Sequence, residues 1–86
     1  MFKIIEKYIN NLNKEDLFTL ASKNGIDLSD QELDFSYTFI KKNWEIFLNN
    51  PSSLNLDNYK DYYSKENLIK IKILYAKLFN KYSKYL

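Results

Sequence analysis

Only two residues in this chain interrupt a helix by their backbone chemistry, Gly25 and Pro51, and that scarcity constrains the fold more than any other feature. Glycine opens left-handed conformations, and proline removes a donor and clashes with the preceding turn. With one of each in 86 residues, long segments run unbroken. Within them apolar residues recur every three to four positions, the spacing of a helix face. The pattern predicts an all-α fold, a single domain over residues 1–86 packed as a compact bundle. Its four to five helices are expected at roughly 2–11, 14–24, 30–48, 57–62 and 65–85. A second core does not fit, because a chain this short buries only about 60–65% of its unfolded surface.

The expected boundaries have local causes. In the first helix Ile4, Ile5, Tyr8, Ile9 and Leu12 form the apolar stripe. Asn13 can cap the second by accepting the Asp16 amide, with Glu15 and Asp16 at the positive end of the helix dipole. Gly25 follows where a left-handed residue ends a helix. Ser29-Asp30-Gln31-Glu32 reads as a capping box opening a central third helix, whose stripe is Leu33, Tyr37, Ile40, Trp44 and Phe47. Asp57, Tyr59, Tyr62 and Tyr63 suggest a short fourth piece. Ser64 caps a last helix with Leu68, Ile71, Tyr75, Leu78, Tyr82 and Tyr85 on one seam. Ile69-Lys70-Ile71-Lys72-Ile73 alternates like a strand. Helix is the better reading, because no turn signal follows and no partner strand exists.

Composition narrows the chemistry. Cysteine and histidine are absent and every cationic side chain is lysine. Disulfides, thiolate metal sites and His-based acid-base or nucleophile arrangements are therefore excluded. Without arginine there is no bidentate fork to read guanine or clamp phosphate. These absences argue against an enzyme and imply no cofactor. The N-terminal stretch carries charge every few residues, unlike a signal or membrane segment, which sets a cytoplasmic expectation.

Two site readings fail on their details. The segment around Gly25 resembles a DNA-binding helix-turn-helix, but Gln31 and Asp34 fall where that motif buries apolar groups, and Asp30, Glu32 and Asp34 would repel phosphates. Plain helix packing with Ile26 and Leu28 as an apolar staple explains it better. The acids Asp27, Asp30, Glu32 and Asp34 do not match a calcium loop, and acids in a first helical turn answer to the dipole. No metal site is expected.

Two surfaces remain. Residues 1–40 carry a net charge of −3 and residues 41–86 of +5. Lys70, Lys77, Lys81 and Lys84 share one face of the last helix, opposite its apolar seam. Such a face can be merely solvated or can hold an anionic partner. Eight tyrosines and six phenylalanines with Trp44 exceed what so small a core holds, so some reach the surface. Tyr59, Tyr62, Tyr63 and Tyr85 are least tied to a stripe and form the candidate partner-binding set.

Lys14-Glu15-Asp16-Leu17, the run from Leu20 to Glu32 and Phe39-Ile40-Lys41-Lys42-Asn43-Trp44 together resemble the YqfT-like family, small uncharacterised helical proteins of low-GC Gram-positive bacteria. The likeness covers Asn13 to about Phe79 and implies a compact helical, intracellular bacterial protein. It transfers no activity and no site residue. The residues themselves lead to a non-enzymatic helical module that binds another protein through exposed aromatics and the last helix. The alternative is a weak nucleic-acid or anionic-surface binder using the lysine face, with tyrosines to stack on unpaired bases.

Overall fold

The computed structural model describes residues 3–82. Helix α1 spans Lys3–Asn11, α2 Lys14–Lys23, α3 Asp30–Asn49 and α4 Lys65–Tyr82, with 3₁₀ segments at Pro51–Ser53 and Leu56–Tyr62. No strand occurs among the described residues, and the 69–73 alternation lies inside α4. The radius of gyration, 12.4 Å, is close to the ~12 Å of a compact chain of this length. Residue 2 of the first expected helix and residues 83–85 of the last lie outside the described residues.

The caps form as their chemistry demands. Asn13 Oδ1 accepts the Asp16 amide at 2.8 Å. Ser29 Oγ accepts the Glu32 amide at 3.2 Å, while Glu32 Oε1 accepts the Ser29 amide at 2.9 Å, completing the capping box. Gly25 takes φ 75°. The Ile26 amide then returns to the Ala21 carbonyl at 2.9 Å and the Gly25 amide to that of Ser22 at 3.1 Å, satisfying carbonyls that the end of α2 leaves open.

Lysines from elsewhere in the bundle serve the C-terminal ends of α1 and α2. Lys41 of α3 donates to the Ile9 and Asn10 carbonyls of α1, at 2.5 and 3.2 Å. Lys70 of α4 donates to the Gly25 carbonyl just beyond α2, at 2.9 Å. Both ammonium groups sit at the negative end of a helix dipole.

The fourth expected helix is real but is 3₁₀ in form and bent at Tyr59, where φ and ψ are −111° and 16°. The Asn55 side chain accepts the Asp57 amide at 3.0 Å, and the Asn58 amide bonds the Asn55 carbonyl at 3.0 Å. These short-range bonds wind the segment tightly and let its tyrosine rings reach α3.

Helix α3 packs against α1, α2, α4 and both 3₁₀ segments, and is the central helix expected from its wide stripe. The core has two parts. Ala21, Ile26, Leu28, Ile71 and Leu74 form one, with Leu33, Leu56, Tyr63, Tyr75 and Leu78 against it. Ile5, Ile9 and Leu48 form the other, with Ile40, Trp44 and Phe47. Ile26, 1% exposed, is the most deeply buried large side chain, so the staple between α2 and α3 is a core element.

Candidate functional site

A buried polar node sits where α3 and α4 begin. Glu32, only 7% exposed, accepts the Ser29 amide and Asn67 Nδ2 on one oxygen and the Ser64 amide on the other, each at 2.9 Å. Asn67 Nδ2 also donates to the Asp27 carbonyl at 2.9 Å, and Ser64 Oγ accepts the Asn67 amide at 3.1 Å. Burial pushes the Glu32 carboxyl up, but the hydrogen bonds from Ser29, Ser64 and Asn67 outweigh it and hold the group below its ordinary value. A buried carboxylate held by three hydrogen bonds from two helix starts is a structural clamp.

Three of the four candidate tyrosines gather on α3. Tyr62 stacks on Phe35 with ring centroids 4.1 Å apart and planes 9° from parallel. Tyr59 lies 5.7 Å from Phe35 and meets Phe39 edge-on at 4.8 Å. Tyr63 meets Phe35 edge-on at 5.6 Å and shares a 2.5 Å hydrogen bond with Ser36. Tyr62 is exposed and the other two are half-buried. Their rings therefore hold the 3₁₀ segment to α3, and only Tyr62 offers a broad outer face. Tyr85 lies outside the described residues.

The lysine face divides. Lys70 is engaged with the Gly25 carbonyl and, at 3.1 Å, with Glu66. Lys77 and Lys81, one turn apart, are exposed, and Lys84 lies outside the described residues. Lys72 is paired with Asp57. The expected stripe thus begins with a lysine used to join α4 to the end of α2.

The outward side of α4 carries an unexpected feature. Ile69 and Ile73 are 60% and 54% exposed, whereas Ile71 between them is 5% exposed. Residues three and four apart on a helix lie on one face, so Ile69 and Ile73 form an apolar pair, with Lys65, Glu66, Lys70, Lys72 and Lys77 at the neighbouring positions. The alternation was the signal, since a helix that buries one of three alternating isoleucines turns the other two to water.

A cavity of about 440 Å³, partly open to solvent, lies between the two parts of the core. Ile5, Ile9, Leu48 and Trp44 line it from the α1–α3 side, Tyr75 and Leu78 from the α4 side, and Leu17 and Leu20 from α2. Burial raises the Tyr75 hydroxyl above the usual phenol range. Ile4, Tyr8, Leu12 and Leu20 also line an open groove between α1 and α2, together with Lys7, Lys23 and Asp16, so cavity and groove adjoin. Little in the periodicity signals this space, because most lining residues are ordinary stripe positions; Lys81, expected opposite the apolar seam of the last helix, instead borders the cavity beside Tyr75 and Leu78.

Among the described residues no group of three or more His, Cys, Asp or Glu side chains is placed to hold a metal ion. No described helix is long and apolar enough to cross a membrane. Comparison with known proteins finds no matching family model, curated protein or solved structure.

Proposed function

We propose that the protein is a non-enzymatic helical interaction module of the cytoplasm that docks a protein partner on the outward face of α4. The exposed Ile69 and Ile73 pair carries the reading, because these side chains contribute nothing to the core yet sit on a helix fixed at both ends of its inner face. Lys72 and Glu66 beside the pair are engaged with Asp57 and Lys70, and with Lys65 and Lys77 adding positive charge the face suits a shallow apolar groove with an acidic rim. Burying what remains exposed of the two isoleucines gains about 2–3.5 kcal/mol before the cost of association, so the complex is a weak, exchanging one. The absence of His, Cys and Arg supports a binding role over catalysis.

The test places a photo-crosslinking residue at position 69 in tagged protein expressed in its host, with nuclease added at lysis. A discrete crosslinked protein is expected, lost in Ile73→Asp protein that retains the parent melting temperature. A crosslink that persists in Ile73→Asp would remove the basis of this reading. Capture that disappears with nuclease treatment would transfer the function to nucleic-acid binding through the lysines.

A further inference from the structure

We propose that the cavity between the two parts of the core binds a single-chain amphiphile, a long-chain fatty acid, with its hydrocarbon inside and its carboxylate at the lysine-bearing mouth. The site does not depend on the α4 docking face.

Volume sets the size of the apolar body. A dry cavity of roughly 150 Å³ accepts a six-carbon ring, so the observed volume of about 440 Å³ suits a body of about eighteen carbons. That volume also falls within the ~300–1,000 Å³ of small-molecule sites. The walls are of the right kind, since Ile9, Leu17, Leu48, Trp44 and Leu78 offer hydrocarbon and an aromatic face.

Polarity sets the head. Few polar residues line the space, among them Asn43, Tyr75 and Lys81. The Asn43 amide donates to the Phe39 carbonyl at 3.0 Å. At the adjoining groove Lys7 and Lys23 face a single acid, Asp16. Donors and an excess of ammonium groups around an apolar interior favour a carboxylate over a neutral or cationic head. A charged head also stays hydrated at the mouth, so the carboxylate need not be desolvated.

Trp44 is the chain's only tryptophan and lines the cavity, so its fluorescence reports occupancy directly. The full chain is titrated with hexadecanoate below its micelle-forming concentration, alongside octanoate and hexadecanol, with calorimetry for stoichiometry. A saturable one-to-one change is expected with hexadecanoate, and weaker binding of the other two. Leu20→Phe and Ile40→Phe, each adding bulk at the wall, should abolish the change while circular dichroism shows a folded chain. A linear, unsaturable response, equal binding of hexadecanol, or undiminished binding in both filled variants overturns the proposal.

Discussion

The Glu32 carboxylate accepts the Ser64 amide at 2.9 Å and so ties the start of α4 to the start of α3, 32 residues earlier. The same carboxylate closes the capping box with Ser29 and receives Asn67 of α4. Three donors from two helix starts are thus satisfied around one charge, and the positive N-terminal ends of both helices reinforce it.

Glu32→Gln keeps the shape and removes the charge. It is expected to cost about 2 kcal/mol at neutral pH, since hydrogen bonds to a charged group are each worth roughly 1.5–3 kcal/mol net. Because the folded-state pKa is lowered, the unfolded chain takes up the proton first as pH falls. The stabilisation is fully present above the unfolded value of about 4.3 and is lost as pH falls through the folded value. Urea midpoints at neutral and acidic pH should therefore drop more in the parent chain than in Glu32→Gln. Parallel drops in the two would show that Glu32 does not carry the acid sensitivity.

Tyr63 and Tyr75 give the opposite edge. Burial pushes both hydroxyls up; for Tyr63 the nearby Glu32 charge adds to this and the Ser36 hydrogen bond opposes it. The unfolded chain ionises first as pH rises, so stability is full below about pH 10 and declines above it. Tyr63→Phe should blunt the alkaline decline seen by circular dichroism, while costing about 1 kcal/mol at neutral pH through the Ser36 hydroxyl it leaves unpaired. An alkaline limb unchanged in Tyr63→Phe and Tyr75→Phe alike would contradict the assignment.

Gly25 isolates a purely conformational cost. A Cβ added there meets nothing within 4 Å, yet φ is +75°. Gly25→Ala is expected to lose about 1 kcal/mol, or roughly 4–8 °C in melting temperature, and Gly25→Asn less, because asparagine tolerates the left-handed region. An alanine variant as stable as the parent would mean that the turn relaxes to another conformation.

Much of this fold is legible in the sequence because its helix ends are specified by side chains close by in the chain. Asn13 with Asp16, Ser29 with Glu32, and Gly25 are contacts three residues apart or single-residue conformations, and the local pattern alone encodes them. What spacing does not encode is the use of one residue by a distant one. Glu32 reads as half of a capping box, but nothing nearby in sequence announces that Ser64 and Asn67 also reach it. Lys70 reads as part of a solvated face, yet it serves the end of α2, 45 residues away. The tyrosines read as surplus because their neighbours on α3, Phe35 and Ser36, come from a segment 27 residues earlier than Tyr63 and Tyr62. The cavity has little sequence signature, since it is a gap between two sets of correctly patterned residues.

The run from Ile69 to Ile73 provides the sharpest test of how pattern becomes structure. In a strand the three isoleucines would share one face and substituting any of them would cost alike. In α4 only Ile71 enters the core, where it joins Ala21, Ile26, Leu28 and Leu74. Ile71→Ala is therefore expected to cost about 3 kcal/mol through lost burial and the cavity left behind. Ile69→Ala and Ile73→Ala remove exposed side chains, and alanine favours helix slightly, so each should stay within about 0.5 kcal/mol of the parent. Urea unfolding of the three single variants reads the difference directly. Comparable losses at all three positions would contradict both the helical register of α4 and the outward face on which partner docking depends.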